Sequence, residues 1–537
     1  MKHKELTVVL CAIWAASLLY GEMLAFWVPS LWTCSWPHHH LRPTTHSPST
    51  SNSTMDGVRY PSDYVKVAVI TDPQLMDKTS LRLAPKSLAL ETAQFYTDLF
   101  MRRAFFSSIL PFNPDMVLFL GDYFDGGPYL SDEEWQESLS RFKHIFGLNA
   151  QGNYANIQVR YIPGNHDVGY ASLHSERPEV IKRYEKEFGI RNYQFTIGKV
   201  DFLAIDAQTL DGKQGRGRPK DLASLTWDFL KNVSMDVQVY PRVLLTHIPL
   251  YRRDGTHCGT YRGSQVINQR VSRAVHGQEI SYQNYITEES SNRLLELIKP
   301  MLVLSGHDHD QCTITHKSTF GPHTVGTVSW QQGNLYPSFM LLSASNFGIP
   351  NASSPDEAVL THLCFLPMQT HIYIWYLSLF VLTLLALLLW PSSGLNFRRH
   401  CSDFLSICNI FGGRGKEKIE DENCEYEMMW DAEGSMHLVK KTLNAPITNA
   451  SEKGLVERGN AVMRPTAKKH ISQEIEVSMN VDMVMDVDPM LTMPTRTSKS
   501  KTRIAIQRSL RTLRTLIIIA AVNLPIYMML LFKDWID

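Results

Sequence analysis

The segment Met301-Leu-Val-Leu-Ser-Gly-His-Asp-His309 decides the fold of this chain. Its short apolar run predicts a buried β-strand, because a buried helix needs a longer run. Gly306 allows a tight turn directly after the strand. The side chains of His307 and His309 then follow the carboxyl end of the strand, which is where open α/β sheets bind their ligands.

Four earlier segments repeat this arrangement of a strand followed by metal-binding side chains. Asp72 and Gln74 follow Val65–Thr71, Asp122 follows Met116–Gly121, Asn165 and His166 follow Ile157–Gly164, and His247 follows Val243–Thr246. We expect the five loops to converge at one edge of a sheet. A single motif of this kind is usually an ordinary turn, but five in order argue against a purely structural explanation. Carboxylate, amide and imidazole ligands together suit divalent Mn, Fe or Zn.

Between about residues 65 and 345, short β-branched runs alternate with helical patterns. The predicted strands are Val65–Ile70, Met116–Leu120, Ile157–Ile162, Phe202–Ile205, Val243–Leu245, Met301–Leu304, Thr324–Trp330 and Ser338–Ser343. The predicted helices are Leu88–Leu110, Glu133–Phe146, Leu222–Asn232 and Thr287–Ile298. This alternation is typical of an α/β domain whose sheet is covered by helices on both faces. We assign residues 61–360 to that domain.

Composition excludes some classes of function. Lys+Arg and Asp+Glu both number 53, so the formal net charge is zero and no basic field points to nucleic acid. The eight cysteines form no CxxC pair, which excludes a zinc knuckle or a thioredoxin-like motif. Cys258 and Cys312 are candidates for a disulfide in an oxidising compartment, and free buried thiols are the alternative.

Three apolar stretches predict membrane helices: residues 6–28, 372–390 and 516–532. The second is uncharged and has the length that a bilayer requires. The first contains a single charge, Glu22, and is interpreted as an uncleaved anchor, with a cleaved signal peptide as the alternative. The third contains Pro525, which a membrane helix tolerates only with local compensation.

Basic residues predict how these helices are oriented. Arg398 and Arg399 follow the second stretch and four arginines precede the third, so residues 1–5 and 391–513 are assigned to the cytosol. Residues 391–513 are polar and irregular, which favours a largely disordered segment. The stalk 29–60 and the α/β domain are then lumenal. The glycosylation sequons at Asn52, Asn232 and Asn351 all fall in that lumenal part.

The motifs resemble those of the calcineurin-like metallophosphoesterases, over about residues 65–345. The resemblance implies a four-layer α/β/β/α sandwich, here with added transmembrane helices, and two divalent metal ions. Asp122 would bridge the ions, Asp72 and His309 would bind the first, and Asn165, His247 and His307 the second. His166 would protonate the leaving oxygen or stabilise phosphoryl oxygens. Gln74 replaces the histidine of the family pattern, which weakens the first site toward soft metals and favours Mn or Mg over Zn.

Further segments resemble one branch of that family. His247-Ile-Pro-Leu-Tyr-Arg252, Leu304-Ser-Gly-His-Asp-His-Asp-Gln-Cys312 and Val328-Ser-Trp330 are similar to the GPI-glycan remodelling phosphodiesterases of the early secretory pathway. The resemblance implies a manganese-dependent enzyme of the endoplasmic reticulum or ER–Golgi membrane. Its substrate would be the GPI glycan of GPI-anchored proteins, from which it removes ethanolamine-phosphate to aid their export. Arg252 is a candidate contact for a glycan phosphate, and a surface arginine pair with Arg253 is the alternative.

Two other functions remain open from sequence alone. The chain is either a metallophosphoesterase with a different phosphoester substrate or a non-catalytic receptor for GPI-anchored cargo. Gln74 and the long cytosolic segment motivate the receptor hypothesis. Metal content and turnover of a generic phosphodiester distinguish a receptor from an enzyme.

Overall fold

The computed structural model describes residues 3–37, 64–148, 156–212, 222–266, 271–273, 280–314, 322–346, 358–390, 426–430, 436–440 and 501–536. The sequon residues Asn52 and Asn351, most of the stalk and most of residues 391–513 lie outside these ranges. The chain forms two compact units, residues 1–394 with 506–537, and residues 395–505. In the second unit, β14 (Tyr426–Trp430) and β15 (Met436–Lys440) pair antiparallel, where sequence analysis predicted no regular structure.

Two sheets form the centre of the first unit. The five-stranded sheet has the order β13-β12-β1-β2-β3 and the six-stranded sheet the order β10-β11-β9-β6-β5-β4. The five strands are β1 (Tyr64–Ile70), β2 (Met116–Phe119), β3 (Gln158–Tyr161), β12 (Ser338–Ser345) and β13 (Val359–Phe365). The six are β4 (Tyr193–Ile197), β5 (Val200–Ala204), β6 (Arg242–Leu245), β9 (Leu302–Ser305), β10 (Cys312–Thr313) and β11 (Pro322–Thr324). A separate hairpin pairs β7 (Val271–Arg273) with β8 (Ile280–Gln283).

Helices cover the outer face of each sheet. In chain order they are α1 (Leu88–Arg103), α2 (Asp132–Ile145), α3 (Asn165–Val168), α4 (Ala171–Glu176), α5 (Pro178–Phe188), α6 (Leu222–Met235) and α7 (Glu288–Ile298). Ser131 and Thr287 cap α2 and α7 by accepting hydrogen bonds from the first turn, which satisfies backbone donors that a helix start leaves unpaired. After Arg103 the chain continues as the π-helical turn Ala104–Ile109, so the predicted helix Leu88–Leu110 is regular only in its first part.

Three hydrophobic cores separate these layers. One core lies between the sheets and joins Val69 and Leu118 of the first to Phe202 and Leu245 of the second. A second core packs α1 and α2 on the five-stranded sheet, and a third packs α6 and α7 on the six-stranded sheet. Alternate residues of β1 enter different cores, as the pleat of a strand requires. The predicted four-layer α/β/β/α sandwich is confirmed.

Three helices are long and apolar enough to cross a membrane: His3–Thr33, Gln369–Leu389 and Ala505–Trp535, hereafter the first, second and third spans. Leu6 near the start of the first span, Leu387 near the end of the second and Ile519 in the middle of the third pack together. At the other end of the first span, Phe26 enters the core of the domain, and Cys34 forms a disulfide with Cys364 of β13. The three spans thus form one bundle that joins the domain at a single end. Sequence analysis did not identify this disulfide.

One predicted strand is wrong at every residue but its first. Strand β11 ends at Thr324, whereas Thr324–Trp330 was expected to be extended throughout. The chain instead turns over the end of β1, where Val328 N donates to Thr71 O and Thr327 Oγ1 donates to Asp72 O. Because these hydrogen bonds are made to the end of β1, residues 325–330 lie beside the site described next.

Candidate metal centre

The predicted metal ligands come together at one edge of the two sheets. Strands β1, β2 and β3 run parallel as neighbours in one sheet, and β6 and β9 run parallel in the other. Their carboxyl ends therefore lie on the same side of the sandwich. The loops that follow bring together six side chains, those of Asp72, Asp122, Asn165, His247, His307 and His309.

These side chains form two groups that share one member. Ligand atoms of Asp122, His247 and His307 lie within 4.8 Å of one another, and so do those of Asp72, Asp122 and His309. Asn165 completes the first group, because its Oδ1 lies 3.1 Å from His247 Nε2. Asp122 is thus the residue common to both groups.

Gln74 lies beside the shared carboxylate. Its side chain is buried, and Nε2 donates to Asp122 Oδ2 over 3.1 Å. Its backbone carbonyl accepts from Gln331 Nε2 over 3.1 Å. Gln74 is therefore held at the site from both sides, and its amide supports the shared aspartate.

Backbone strain is concentrated at this site. Asp72, Gln74, Asp122, His307 and His309 all adopt positive φ, between 38° and 68°. This conformation is energetically unfavourable for L-residues. It persists where the surrounding structure enforces it, commonly at functional sites. Gly164 permits the close approach of two loops, since a Cβ there would lie 2.0 Å from Asp122 Oδ1.

Outer hydrogen bonds fix the orientation of the histidines. His247 Nδ1 lies 2.7 Å from Leu120 O, which directs Nε2 toward Asp122 and Asn165. His307 Nε2 lies 3.1 Å from Gln283 O, and the His307 amide donates to Asp72 Oδ1 over 3.0 Å. Contacts of this type hold metal-binding imidazoles in one tautomer and one orientation.

The buried charges of the site compensate one another only in part. Burial raises the pKa of Asp72 and lowers the pKa of His307 to about 3. Burial also opposes charge on His247 and Asp122, but their attraction outweighs it, raises the pKa of His247 to about 9 and lowers that of Asp122. Among the described residues, every ion-pair partner of Asp72 and Asp122 is a histidine. Two fully buried carboxylates without a lysine or arginine fit divalent cations.

His166 stands at the rim of the site. Its backbone amide donates to Asp122 Oδ1 over 2.8 Å, while 37% of its side chain stays exposed. Nδ1 contacts Asp125 O, so Nε2 is the ring nitrogen left to face a ligand. Burial lowers the pKa of His166, but the carboxylates of Asp122 and Asp125 outweigh this effect and raise it above 6.5.

Asp167 is a site residue that sequence analysis did not single out. Its carboxylate accepts hydrogen bonds from the backbone amides of Gly164, Asp122 and Tyr123, each over 2.8 Å. It thereby ties the loop after β3 to the loop after β2. The available signal was its place in the Gly-Asn-His-Asp segment, directly after two assigned residues.

Asp308 anchors the turn between His307 and His309. It accepts from Tyr285 Oη over 2.9 Å, from Arg252 Nη1 over 3.2 Å and from both terminal nitrogens of Arg262. Arg252, the candidate phosphate contact, is buried, and its guanidinium also contacts Thr324. The structure therefore places Arg252 in the support of the histidine turn.

A second connection ties residues 258–264 to the same turn. Cys258 and Cys312 form a disulfide, and Asp310 accepts from the backbone amides of Gly263 and Ser264. The loop after β6 is thus fixed to the loop after β9 by a covalent bond and by carboxylates. Asn232, the one sequon residue among the described ranges, is exposed on α6.

Comparison with known proteins identifies the domain. Residues 65–311 match the family described as calcineurin-like phosphoesterase. The yeast Saccharomyces cerevisiae "Cell division control protein 1" is 29% identical over 326 residues, which are 58% of this chain and 63% of that protein. "Metallophosphoesterase 1" of Danio rerio is 29% identical over 285 residues, 49% of this chain and 70% of the relative.

A solved structure of a dimetal phosphatase from Danio rerio also matches, at 15% identity and a TM-score of 0.29, over 55% of this chain and 98% of that one. The family match covers all five loops that carry the ligands, from Asp72 to His309. The converging ligands and the family match agree, because residues 65–311, which match the calcineurin-like phosphoesterase family, are the part of the chain that carries the ligands.

Proposed function

We propose that this chain is a membrane-bound, two-metal phosphodiesterase that removes ethanolamine-phosphate from the GPI-anchor glycan. The observation that carries the proposal is the pair of ligand groups that share Asp122, with the exposed ring of His166 beside them. In this proposal the catalytic domain is lumenal, in the endoplasmic reticulum or ER–Golgi membrane. GPI-anchored proteins are its substrates.

The residues of the site would form two metal-binding sets. Asp72, Asp122 and His309 would hold one ion, and Asp122, Asn165, His247 and His307 the other, with Mn as the proposed metal. Such ions supply Lewis-acid stabilisation of phosphoryl oxygens and lower the pKa of bound water. The Gln74 amide keeps Asp122 oriented toward both positions.

His166 acts on the leaving group. Because Nδ1 faces the carbonyl of Asp125, a proton on Nε2 can be donated toward solvent and substrate. The backbone amide of His166 is fixed by Asp122, so the ring stands at a set distance from the shared ligand. A phosphodiester needs such a donor, because the release of ethanolamine-phosphate makes the strongly basic mannose alkoxide the leaving group.

Contacts with the membrane spans support a membrane-anchored substrate. The Trp330 ring lies 5.7 Å from the Tyr373 ring of the second span. The neighbouring Gln331 donates to Gln74 O, and Asn334 Nδ2 donates to His309 O over 3.1 Å. One short loop therefore joins the metal centre to the start of the second span. A substrate held in the same bilayer has a high effective concentration at such a site.

The relatives support the same branch of the family. A protein named metallophosphoesterase 1 in several animals aligns with about half of this chain. Neither the name nor the fold specifies the GPI glycan, so the substrate rests on the resemblance of the motifs around His247, His307 and Trp330.

The test uses the full chain in lipid nanodiscs with Mn²⁺ and a soluble aryl phosphodiester. We expect metal-dependent turnover that falls at least about 10³-fold in Asp122→Asn and about 10²-fold in His166→Gln. Asp236→Asn, an exposed carboxylate on the same domain, is the matched control and should behave as wild type. Release of ethanolamine-phosphate from a GPI glycan then tests the substrate.

The second candidate is a receptor that binds GPI-anchored cargo without hydrolysis. The contact of Gln74 with Asp122 favours it, because this amide stands where the family has an imidazole ligand. Turnover of the aryl ester would exclude the receptor. Fewer than two bound ions per chain and no turnover would support the receptor and contradict the enzyme.

A further inference from the structure

A cluster of buried charges lies where the membrane spans meet the catalytic domain, away from the metal centre. Glu22 of the first span and Arg103 at the end of α1 are 2% and 3% exposed. Arg103 Nη1 donates to Glu22 Oε2 over 2.6 Å, and Arg103 Nε donates to Asp534 Oδ2 of the third span over 3.0 Å. Tyr376 Oη of the second span donates to Glu22 Oε1 over 3.0 Å. We call Glu22, Arg103, Tyr376 and Asp534 the span–domain bridge.

This bridge connects one guanidinium of the domain to all three spans. Arg103 Nη2 also donates to Leu530 O over 2.8 Å, which fixes the last turns of the third span. Arginine suits this role because its planar group presents donors in several fixed directions. An unpaired charge in a membrane helix is energetically costly, and the pairing with Arg103 compensates the charge of Glu22.

Aromatic contacts surround the bridge and extend it. Phe26 packs edge-on against Phe100 with ring centroids 5.4 Å apart, and it belongs to the core beneath α1. Phe95 of α1 contacts Trp535 at 5.3 Å. The first and third spans are thus packed directly against α1.

Helix α1 in turn contacts the loop that carries Asp72 and Gln74. Gln94 Nε2 of α1 donates to Met76 O over 3.0 Å, and Arg141 Nη1 of α2 donates to the same carbonyl over 2.9 Å. A second route runs from the second span through the Tyr373–Trp330 contact. The bundle therefore contacts the loops of the metal centre at two separate places. Two contacts restrict the orientation of the domain relative to the bundle as well as its distance from it.

We propose that Arg103 is a positioning residue that sets the orientation of the metal centre relative to the bilayer, so that a membrane-anchored phosphoester reaches it. The inference rests on the proposed phosphodiesterase function. It also gives the third span a role, because Asp534 near its end completes the bridge. Loss of the bridge leaves the metal ligands in place but lets the domain tilt on the bundle.

The experiment compares two substrates on the full chain in nanodiscs with Mn²⁺. One is the soluble aryl phosphodiester, and the other is an aryl phosphodiester with a dialkyl tail that anchors it in the same bilayer. For Arg103→Gln we expect kcat/KM for the anchored ester to fall at least ten-fold, while kcat/KM for the soluble ester stays within two-fold of wild type. Asp534→Asn should act in the same direction, and it lies at the end of a helix where misfolding of the domain is not expected.

Lys533→Gln is the matched control, since Lys533 is exposed beside Asp534. It should leave the ratio of the two kcat/KM values unchanged. An equal fall for both esters in Arg103→Gln and Asp534→Asn would show that the bridge only stabilises the fold, and no fall for either ester would show that the bridge has no effect. Both results overturn the proposal.

A measurement without substrate separates this proposal from the proposed activity. A fluorophore at Tyr129→Cys, with Cys11, Cys401, Cys408 and Cys424 replaced by Ser, reports energy transfer to labelled lipid headgroups. Tyr129 is exposed, in the turn beside His166. If wild type hydrolyses neither ester, the proposed activity fails, and this distance decides the inference: a shifted or broadened distance in Arg103→Gln supports it, and an unchanged one overturns it.

Discussion

The metal centre and the span–domain bridge both bury charged side chains, and they are built in opposite ways. In the metal centre, Asp72 and Asp122 have only histidines as charged partners among the described residues. In the span–domain bridge, Glu22 and Asp534 share one arginine. A buried carboxylate needs a cation. The metal centre is therefore suited to an added ion, whereas the bridge contains a permanent cation.

Removal of metal is expected to produce the largest difference between the two clusters. A chelator should abolish turnover and lower the apparent Tm, because an ion at about 100 times its Kd stabilises the fold by about 2.7 kcal/mol. For a domain of this size that is about 5 to 10 °C. Differential scanning calorimetry with and without Mn²⁺ measures it.

The bridge provides the control for that result. Arg103→Gln should lower the apparent Tm by the same amount with and without chelator, since no ion takes part in the bridge. A chelator effect that disappears in Arg103→Gln would contradict the separation of the two clusters.

The two clusters also differ in how far sequence could predict them. Each predicted metal ligand lies shortly after the end of a strand. The local sequence pattern therefore predicted the strand, its end and the convergence of the loops. The sandwich itself followed from the alternation of strands and helices. The strand that was predicted through Trp330 failed because tertiary hydrogen bonds to Thr71 and Asp72 redirect the chain after Thr324.

The bridge had no such local signal. Glu22, Arg103, Tyr376 and Asp534 come from four distant segments, and each alone resembles an ordinary membrane-flanking or helix-surface residue. Their meeting depends on how three spans pack on α1, which no periodicity specifies. The same holds for the partner of Asp308: Arg252 follows His247 in sequence and resembled a substrate contact, but packing directs it to the histidine turn.

Asp308 combines features of both clusters and should give the next largest effect. It lies between two metal ligands but is paired with Arg252 and Arg262, as in the bridge. Asp308→Asn leaves two largely buried guanidiniums without their carboxylate and releases the histidine turn. Because outer partners of ligands typically contribute 10- to 100-fold, we expect Mn²⁺ affinity to fall by about that factor in isothermal titration.

Asp310→Asn is the matched control on the same segment. Its carboxylate accepts hydrogen bonds from the Ser264 backbone amide and hydroxyl. Its effect on Mn²⁺ affinity should be smaller by several-fold. Equal losses in both variants would mean that the loop as a whole, and not Asp308, orients the histidines.

Gln74→His should change the metal preference and not the fold. The amide now donates to Asp122, and an imidazole in its place adds a softer ligand to the first site. We expect the ratio of bound Zn to bound Mn to rise by about ten-fold in competition, measured by elemental analysis. Gln238→His, at an exposed position, is the control that shows whether an added histidine outside the site changes this ratio. An unchanged ratio would show that position 74 does not contribute to metal selection.

The smallest expected effect concerns Asp98, a buried carboxylate of α1. Burial raises its pKa to about 6, although Arg141 pairs with it and opposes that shift. Since the folded state binds this proton more tightly than the unfolded state, the contribution of Asp98 to the free energy of unfolding rises as pH falls from about 7 toward 4.

Asp98→Asn removes this dependence. The difference in unfolding free energy between wild type and variant should therefore move in favour of wild type by about 1 kcal/mol between pH 7.5 and pH 5. Paired Tm measurements in chelator at both pH values exclude any contribution from metal binding. A difference that stays constant, or that grows with rising pH, would mean that the pairing of Asp98 with Arg141 outweighs its burial.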